Sequence, residues 1–485
     1  MKNSSVQGLE PASVFHWFEE LDAIPRGSGN EQAVSDFLVA FARDHGLNVT
    51  QDKANNVLIR KPGTPGYEQS PGVIIQGHMD MVCEKAPGVE HDFMKDPVRL
   101  CVEGDTIHAD GTTLGADDGI AVAMGMAVLA SDDIPHPPLE LLVTTSEETG
   151  MDGAHALDPQ LISGRMLINI DSEEEGILTV SCAGGCTAKI TFPAQRISIG
   201  TGMALLTLTV KGLRGGHSGI EINKGLGNAD KLMARLLNSL DAAFALCALN
   251  GGSKHNAIAR EAEAVLAVAA TDVPRLKEQV AELEAQFRSE FQTSDPDIRL
   301  LVGEPEKEYC DAIHPEQAQN LLHFLDVMPN GVQSMSAAMP GLVESSLNLG
   351  VIRTEAAEVE VITSIRSSVG SLKENIYRTV SQLARMTGGK MSREADYPEW
   401  SYNPDSRLRV LFVSLYQKLF GREPAVNAIH AGLECAIFAE KFNGLMDMIS
   451  IGPTMTGVHT AQERLSISSV QRTWQYLLEI LKSLR

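Results

Sequence analysis

His78 and Asp80 stand two residues apart at the end of the apolar run in "GVIIQGHMDMV" (72–82), and similar placements recur along the chain. "LELLVTT" is followed by Glu147 and Glu148 in "SEETG", "RMLINI" by Asp171 in "DSEEEG", and "MDMISIGP", a few residues on, by His459 in "TGVHT". Asp117 and Asp118 sit in "LGADDG", just before a helix of small residues. No Lys or Arg interrupts these short motifs. Carboxylates converging in one crevice repel and raise each other's pKa, a conflict that a bound dication removes. Mixed His and Asp/Glu donors suit zinc, with manganese or cobalt as alternatives. Two ions about 3.5–4 Å apart, sharing one carboxylate, accommodate such a set better than one. In that chemistry His78 is a ligand, while Asp80 receives the other ring N–H and fixes the tautomer.

Each piece alone has an ordinary reading. An H-x-D is commonly a satisfied histidine beside a turn, and "SEE" or "DSEEEG" is commonly a solvated acidic segment. "ADDG" fits a helix cap and turn, since Asp suits both. The joint placement after apolar strands is what points to a metal site, because ligands of open α/β sheets collect beyond the carboxyl ends of the strands. Other chemistries lack local support: there is no H-E-x-x-H, no G-x-x-x-x-G-K-[ST] and no G-x-S-x-G.

The elements that must position these residues alternate. "PASVFHWFEELDAI" and "NEQAVSDFLVAFARDHG" have helical apolar spacing. "NVLIR", "GVIIQ", "LELLVTT" and "RMLINI" read as short strands, and "ADDGIAVAMGMAVLAS" as a helix packed closely on a sheet. This pattern predicts an α/β fold with a mixed, mostly parallel sheet. Beyond residue 187 the texture changes to half-exposed strands such as "LLTLTVKG", with helices over 225–240, 273–291 and 371–387. The segment 187–399 reads as an inserted α+β domain, its element order suggesting two similar halves. From about 400 the α/β texture returns, and "MDMISIG" is expected to join the first sheet. The expected catalytic domain is therefore discontinuous, 1–186 with 400–485.

The 485 residues suffice for two or more cores, and 43% hydrophobic with 21% charged residues is an ordinary globular balance. The net charge of −23 disfavours nucleic-acid and membrane-surface partners. Seven scattered cysteines, without zinc-ribbon or C-x-x-C spacing, fit a reducing compartment. The opening residues lack a signal-type apolar core, and "GIAVAMGMAVLA" falls well short of the ~20 residues a bilayer crossing needs. A cytoplasmic protein is expected.

Taken in order, "IPRGSGNE", "GHMDMV", "GTTLGADDGIAVA", "EETGMDGA", "INIDSEEEG", "KGLRGGHSG", "HAGLEC" and "SIGPTMTGVH" resemble the co-catalytic zinc peptidase family with an inserted lid domain. The resemblance is greatest to its aminoacyl-histidine dipeptidase (bacterial carnosinase-like) branch and runs nearly end to end. It implies that Asp117 bridges two metals, with a strained peptide to the next residue, and leaves Asp118 without a metal role. His78 and Asp171 then complete one site, Glu148 and His459 the other, with Asp80 behind His78. It also implies that Glu147 is the general base, taking a proton from a metal-bridged water and passing it to the departing amine. His217 matches the lid histidine that stabilises the oxyanion. Asn256 and Arg366 match lid residues holding the substrate carboxylate, for which an Arg fork is suited, and Gly432 offers backbone N–H groups to the same end. His430 and Glu434 fit structural and functional roles equally.

The implied activity is hydrolysis of dipeptides with a free amino terminus, Xaa-His favoured, by a homodimer with two divalent ions, zinc in the first place. Ala259, Ala436 and "HTAQERL" depart from the family pattern and leave substrate preference more open than the hydrolytic core. Two alternatives stand beside this reading: an amidohydrolase of N-acyl amino acids, and a non-catalytic peptidase-like binding protein. The presence of every ligand and of Glu147 argues against the latter.

Overall fold

The computed structural model describes residues 6–485; the first five residues of the domain expected over 1–186 lie outside it. The chain forms two compact units. One comprises the chain up to Ser181 with Tyr402–Ala428 and Leu433–Arg485; the other comprises Cys182–Ser401 and Ile429–Gly432.

The first unit is built on an eight-stranded sheet in the order Asn48–Gln51, Val57–Lys61, Leu139–Thr144, Val73–His78, Met166–Asn169, Asp447–Ser450, Ile177–Cys182, Ala425–Ile429. Its centre is parallel: Val73–His78 lies between Leu139–Thr144 and Met166–Asn169, and Asp447–Ser450 extends the parallel array on Met166–Asn169. Val57–Lys61 pairs antiparallel outside this centre. A parallel strand covered on both faces reads as a largely apolar run, and every residue of Val73–His78 and Leu139–Thr144 is buried, Gln76 and Glu140 included. The late strand Asp447–Ser450 makes this unit discontinuous in sequence.

Helix Ala116–Ala130 is buried along almost its whole length and packs on Val73–His78 and on helix Ala12–Asp22. Its small residues permit the close approach, and Gly77 is required by it. A Cβ at Gly77 would lie 2.5 Å from Asp118 Oδ2 and 2.8 Å from the Ala121 Cβ. No helix among the described residues is long and apolar enough to cross a membrane.

The second unit holds a nine-stranded sheet whose pairings are antiparallel, with Val343–Thr354 and Glu358–Ser367 at its centre. Helix Val273–Glu290 buries Leu276, Val280, Leu283 and Phe287, one stripe at 3–4 residue spacing, in the main core of this unit. Cys247, Val265 and Ala267, from two of the sheet strands, form a smaller cluster with Ala312. Strands Gly184–Pro193 and Phe244–Gly252 and helix Pro315–Val327 go beyond the sequence expectation. "FALCALNGG" and "GGCTAKITFP" are rich in Ala, Gly and Cys, so side-chain alternation is faint until the neighbouring strands supply it.

Candidate metal centre

Four strands of the first unit deliver the residues singled out by sequence. Val73–His78 ends on His78, Leu139–Thr144 is followed by Glu147 and Glu148, and Met166–Asn169 by Asp171. Because these strands are parallel, their carboxyl ends share one edge of the sheet. Asp447–Ser450 leads through a loop to His459, which has a φ of +63°. Asp117 enters from the first turn of helix Ala116–Ala130, where its own φ/ψ (−81°, 106°) is non-helical; the Asp117–Asp118 peptide is cis.

Asp117 divides its oxygens between two imidazoles. Oδ1 lies 3.2 Å from His78 Nε2, and Oδ2 lies 3.1 Å from His459 Nε2. His78 Nε2 is also 3.7 Å from Asp171 Oδ1, and His459 Nε2 is 2.9 Å from Glu148 Oε2. Donor atoms of Asp117, Glu148 and His459 lie within 4.8 Å of one another, as do those of His78, Glu147 and Glu148, and of His78, Asp118 and Asp171. Asp118 nevertheless differs from Asp117. It is fully buried, its Oδ2 accepts the backbone N–H of His78 at 3.2 Å, and Oδ1 is buried without a partner.

His78 Nδ1 lies 3.1 Å from the backbone carbonyl of Asp80 and 3.4 Å from its Oδ1. With its proton on Nδ1, the ring leaves the Nε2 lone pair free for a cation on the side where Asp117 and Asp171 lie. The Asp80 carboxylate has further work: it accepts Ser28 Oγ–H at 2.7 Å and the backbone N–H groups of Glu147 (3.1 Å) and Glu148 (3.3 Å). Glu31 Oε1 accepts the N–H of Ser146 at 3.2 Å and its hydroxyl at 3.1 Å. The "SEE" turn is therefore held by two carboxylates from elsewhere in the chain. Beneath the strand ends, Glu434 Oε2 accepts Gln76 Nε2–H (2.6 Å) and Thr144 Oγ1–H (2.7 Å), and Asn169 donates to Gln76. Glu463 receives the backbone N–H groups of Leu114 through Asp117. For Glu434 the structural role is the one these bonds support, whereas the scaffold roles of Glu31 and Glu463 carry no signal in the sequence, since their partners are backbone amides and a serine hydroxyl that no local motif marks.

The electrostatics express crowding of like charge. Burial raises Asp171 to about 6 against the opposing pull of His78, with Asp117 and Glu148 adding to the rise, and burial holds Glu147 well above the ordinary glutamate value, with His78 opposing it and Asp171 adding to the effect. Burial likewise lifts Glu434 to about 7. Hydrogen bonds to Asp117 and Glu148 push His459 up to about 11. For His78, burial opposes the charge, but Asp117, Asp171 and Asp80 outweigh it. Two imidazole nitrogens and several carboxylate oxygens gathered at one sheet edge are the donor set of a dication site. The unpartnered Asp118 Oδ1 belongs to the same excess of acceptors.

The remaining expected residues lie in the second unit. His217 Nδ1 accepts N–H bonds from Gly219 (3.3 Å) and Ile220 (3.2 Å), which places the ring proton on Nε2. Ser218 N–H bonds to the Asn256 carbonyl at 2.9 Å, bringing Asn256 beside His217. Arg366, in strand Glu358–Ser367, is 8% exposed and donates to Tyr397 Oη at 3.1 Å, with its Nε buried and unpartnered. His430 bonds to Ser346 Oγ at 2.7 Å. Gly432 closes the short segment Ile429–Gly432 that belongs to this unit.

A parallel α/β sheet with imidazoles and carboxylates gathered at its carboxyl edge is the framework of a hydrolase that works through metal ions. The chain belongs to Peptidase family M20/M25/M40, whose profile matches residues 74–483. It is 38% identical to the cytosol non-specific dipeptidase of Escherichia coli (strain K12) over 483 residues, 99% of either chain. The crystal structure of aminoacylhistidine dipeptidase from Vibrio alginolyticus matches with a TM-score of 0.95 and 37% identity, covering 99% of this chain and 98% of that one. Aminopeptidase PepT from Bacillus cereus ATCC 10987 shares the fold at 16% identity, with a TM-score of 0.56 over 98% of this chain and 99% of its own.

Proposed function

We propose that this protein is a metal-dependent dipeptidase acting on unprotected dipeptides, Xaa-His favoured. The observation that carries the reading is the division of the Asp117 oxygens between His78 and His459, which suits a carboxylate shared by two ions. His78 with Asp171 would hold one ion, and Glu148 with His459 the other, zinc in the first place with cobalt or manganese as alternatives. Bound there, two dications supply Lewis-acid polarisation of the scissile carbonyl and make water nucleophilic near neutral pH. Names of the relatives, one a non-specific and one an aminoacylhistidine dipeptidase, support the substrate class.

Glu147 takes the proton of the attacking water and delivers it to the departing amine. Its backbone is fixed by Asp80, which leaves the side chain to move protons rather than hold the turn. His217, with its proton on Nε2, serves as a donor to the developing oxyanion. Arg366, Asn256 and Gly432 hold the substrate's carboxylate. The second unit acts as a lid in this reading, and the protein works as a cytoplasmic homodimer.

A panel of dipeptides, with N-acetyl amino acids beside them, tests the proposal on metal-stripped and reconstituted protein. Hydrolysis of free dipeptides, fastest with C-terminal His and restored by zinc or cobalt, is the expected result. Turnover of only the N-acetyl compounds would replace it with an amidohydrolase. Failure to bind metal or cleave either class would leave a binding protein.

A further inference from the structure

Glu463 is a buried carboxylate, 2% exposed, with no part in the metal set or in the proton transfers described above. Its Oε2 accepts the N–H groups of Leu114 (2.7 Å) and Gly115 (3.0 Å), and its Oε1 those of Ala116 (2.9 Å) and Asp117 (3.3 Å). These amides open helix Ala116–Ala130, where no intrahelical acceptor exists for them. A carboxylate facing them makes charge-assisted hydrogen bonds and meets the positive end of the helix dipole.

The same stretch is clamped from a second direction. Arg26 Nη2 donates to the Gly115 carbonyl at 2.6 Å, and Arg26 Nη1 to the carbonyl of Met79, the residue after His78. Gly115 has a φ of +73°, and a Cβ there would meet Arg26 Nη2 at 2.6 Å, so glycine is needed for both reasons. Glu463 itself follows His459 by four residues, in a turn where its N–H bonds to the Thr460 carbonyl at 3.1 Å and Thr460 Oγ1 bonds to the Gly457 carbonyl at 2.6 Å. One short segment thus carries both His459 and the carboxylate that grips the backbone of Asp117. The circuit closes where His459 Nε2 meets Asp117 Oδ2.

We propose that Glu463 is a positioning residue: by gripping the amides of residues 114–117 it aims one Asp117 oxygen at each histidine before any metal arrives, and ties that bridge to the His459 loop. The inference rests on the dinuclear reading and deepens it.

The test compares wild type with Glu463→Gln and Glu463→Asp, and with Asp447→Asn as a stability control. Asp447 caps a helix through Ser406 and Leu408 at the opposite end of its strand from the site. A glutamine has one acceptor oxygen and turns an NH₂ group toward two of the four donors; aspartate keeps the charge on a shorter stem. Each metal-stripped protein is titrated with Co²⁺ by calorimetry while the visible cobalt spectrum is recorded. Glu463→Gln is expected to bind both ions about 10–100-fold more weakly, with an altered cobalt band. Glu463→Asp is expected to recover part of the loss, and Asp447→Asn to lose thermal stability at wild-type cobalt affinity.

Wild-type affinity and spectrum in Glu463→Gln would overturn the positioning role alone, whereas a wild-type protein that binds no cobalt would overturn the dinuclear reading beneath it. Hydrogen exchange on metal-free wild type tests the same point without requiring any variant to fold. Protection of amides 114–117 without metal is expected, and rapid exchange there until cobalt is added would end the proposal.

Discussion

Asp80 Oδ1 accepts the backbone N–H of Glu147 at 3.1 Å, so the residue behind the His78 ring also holds the turn that carries the proposed general base. The His78 tautomer has a second guarantor, the Asp80 carbonyl at 3.1 Å, which survives any change of side chain. Asp80→Asn is therefore expected to bind metal within about tenfold of wild type while kcat falls by about 10²-fold or more. The reason is that a carboxamide meets the N–H groups of Glu147 and Glu148 with a donor in place of one acceptor. Metal titration and steady-state kinetics on one preparation check this, and a loss confined to metal affinity would contradict it.

Glu147→Ala removes the proton carrier and leaves every proposed ligand in place. Two equivalents of metal should remain bound, measured by elemental analysis, while turnover drops about 10²–10⁴-fold. Normal turnover would end the assignment of Glu147.

Asp117→Ala and Asp171→Ala should separate a shared ligand from a private one. Loss of Asp117 removes an oxygen from both histidines, so both ions should weaken together. Loss of Asp171 should weaken chiefly the ion beside His78, from which Asp171 Oδ1 is 3.7 Å away. Two-site calorimetric isotherms distinguish these outcomes; a single weakened site in Asp117→Ala would argue against the bridge.

His430 is 7% exposed, and burial, then the charges of Arg366 and His217, lower its pKa to about 4. Unfolded, the same ring titrates near 6.5. The unfolded chain thus binds this proton first as pH falls, so the contribution of His430 to stability is constant above about 6.5 and declines down to about 4. The full effect is of order 3 kcal/mol. Melting temperatures at pH 7.5 and 4.5 should fall further for wild type than for His430→Gln, and equal falls would show that His430 does not titrate in this way.

Much of the site could be read before the fold. His78, Glu147, Glu148 and Asp171 follow apolar strand runs, and the rule that parallel strands present their carboxyl ends together is enough to gather them. The choice between Asp117 and Asp118 could not be made that way. Both are adjacent acids in one motif, and they part only because Gly77 lets the helix approach until Asp118 lies under the His78 backbone. The proton position on His217 depends in the same way on the amides of Gly219 and Ile220 folding back onto its ring. Glu463 was illegible, since it lies 346 residues from the Asp117 amide it grips.

The amino-acid order alone determined which strands are buried, which side chains cap them and what chemistry those side chains can do, because hydrophobic period and residue type act within a few positions. Only the tertiary structure decided which carboxylate faces both imidazoles and which ones serve as scaffold. Those roles depend on contacts between atoms 39 to 358 residues apart in the chain, whose ångström-scale geometry is set by packing rather than by local pattern.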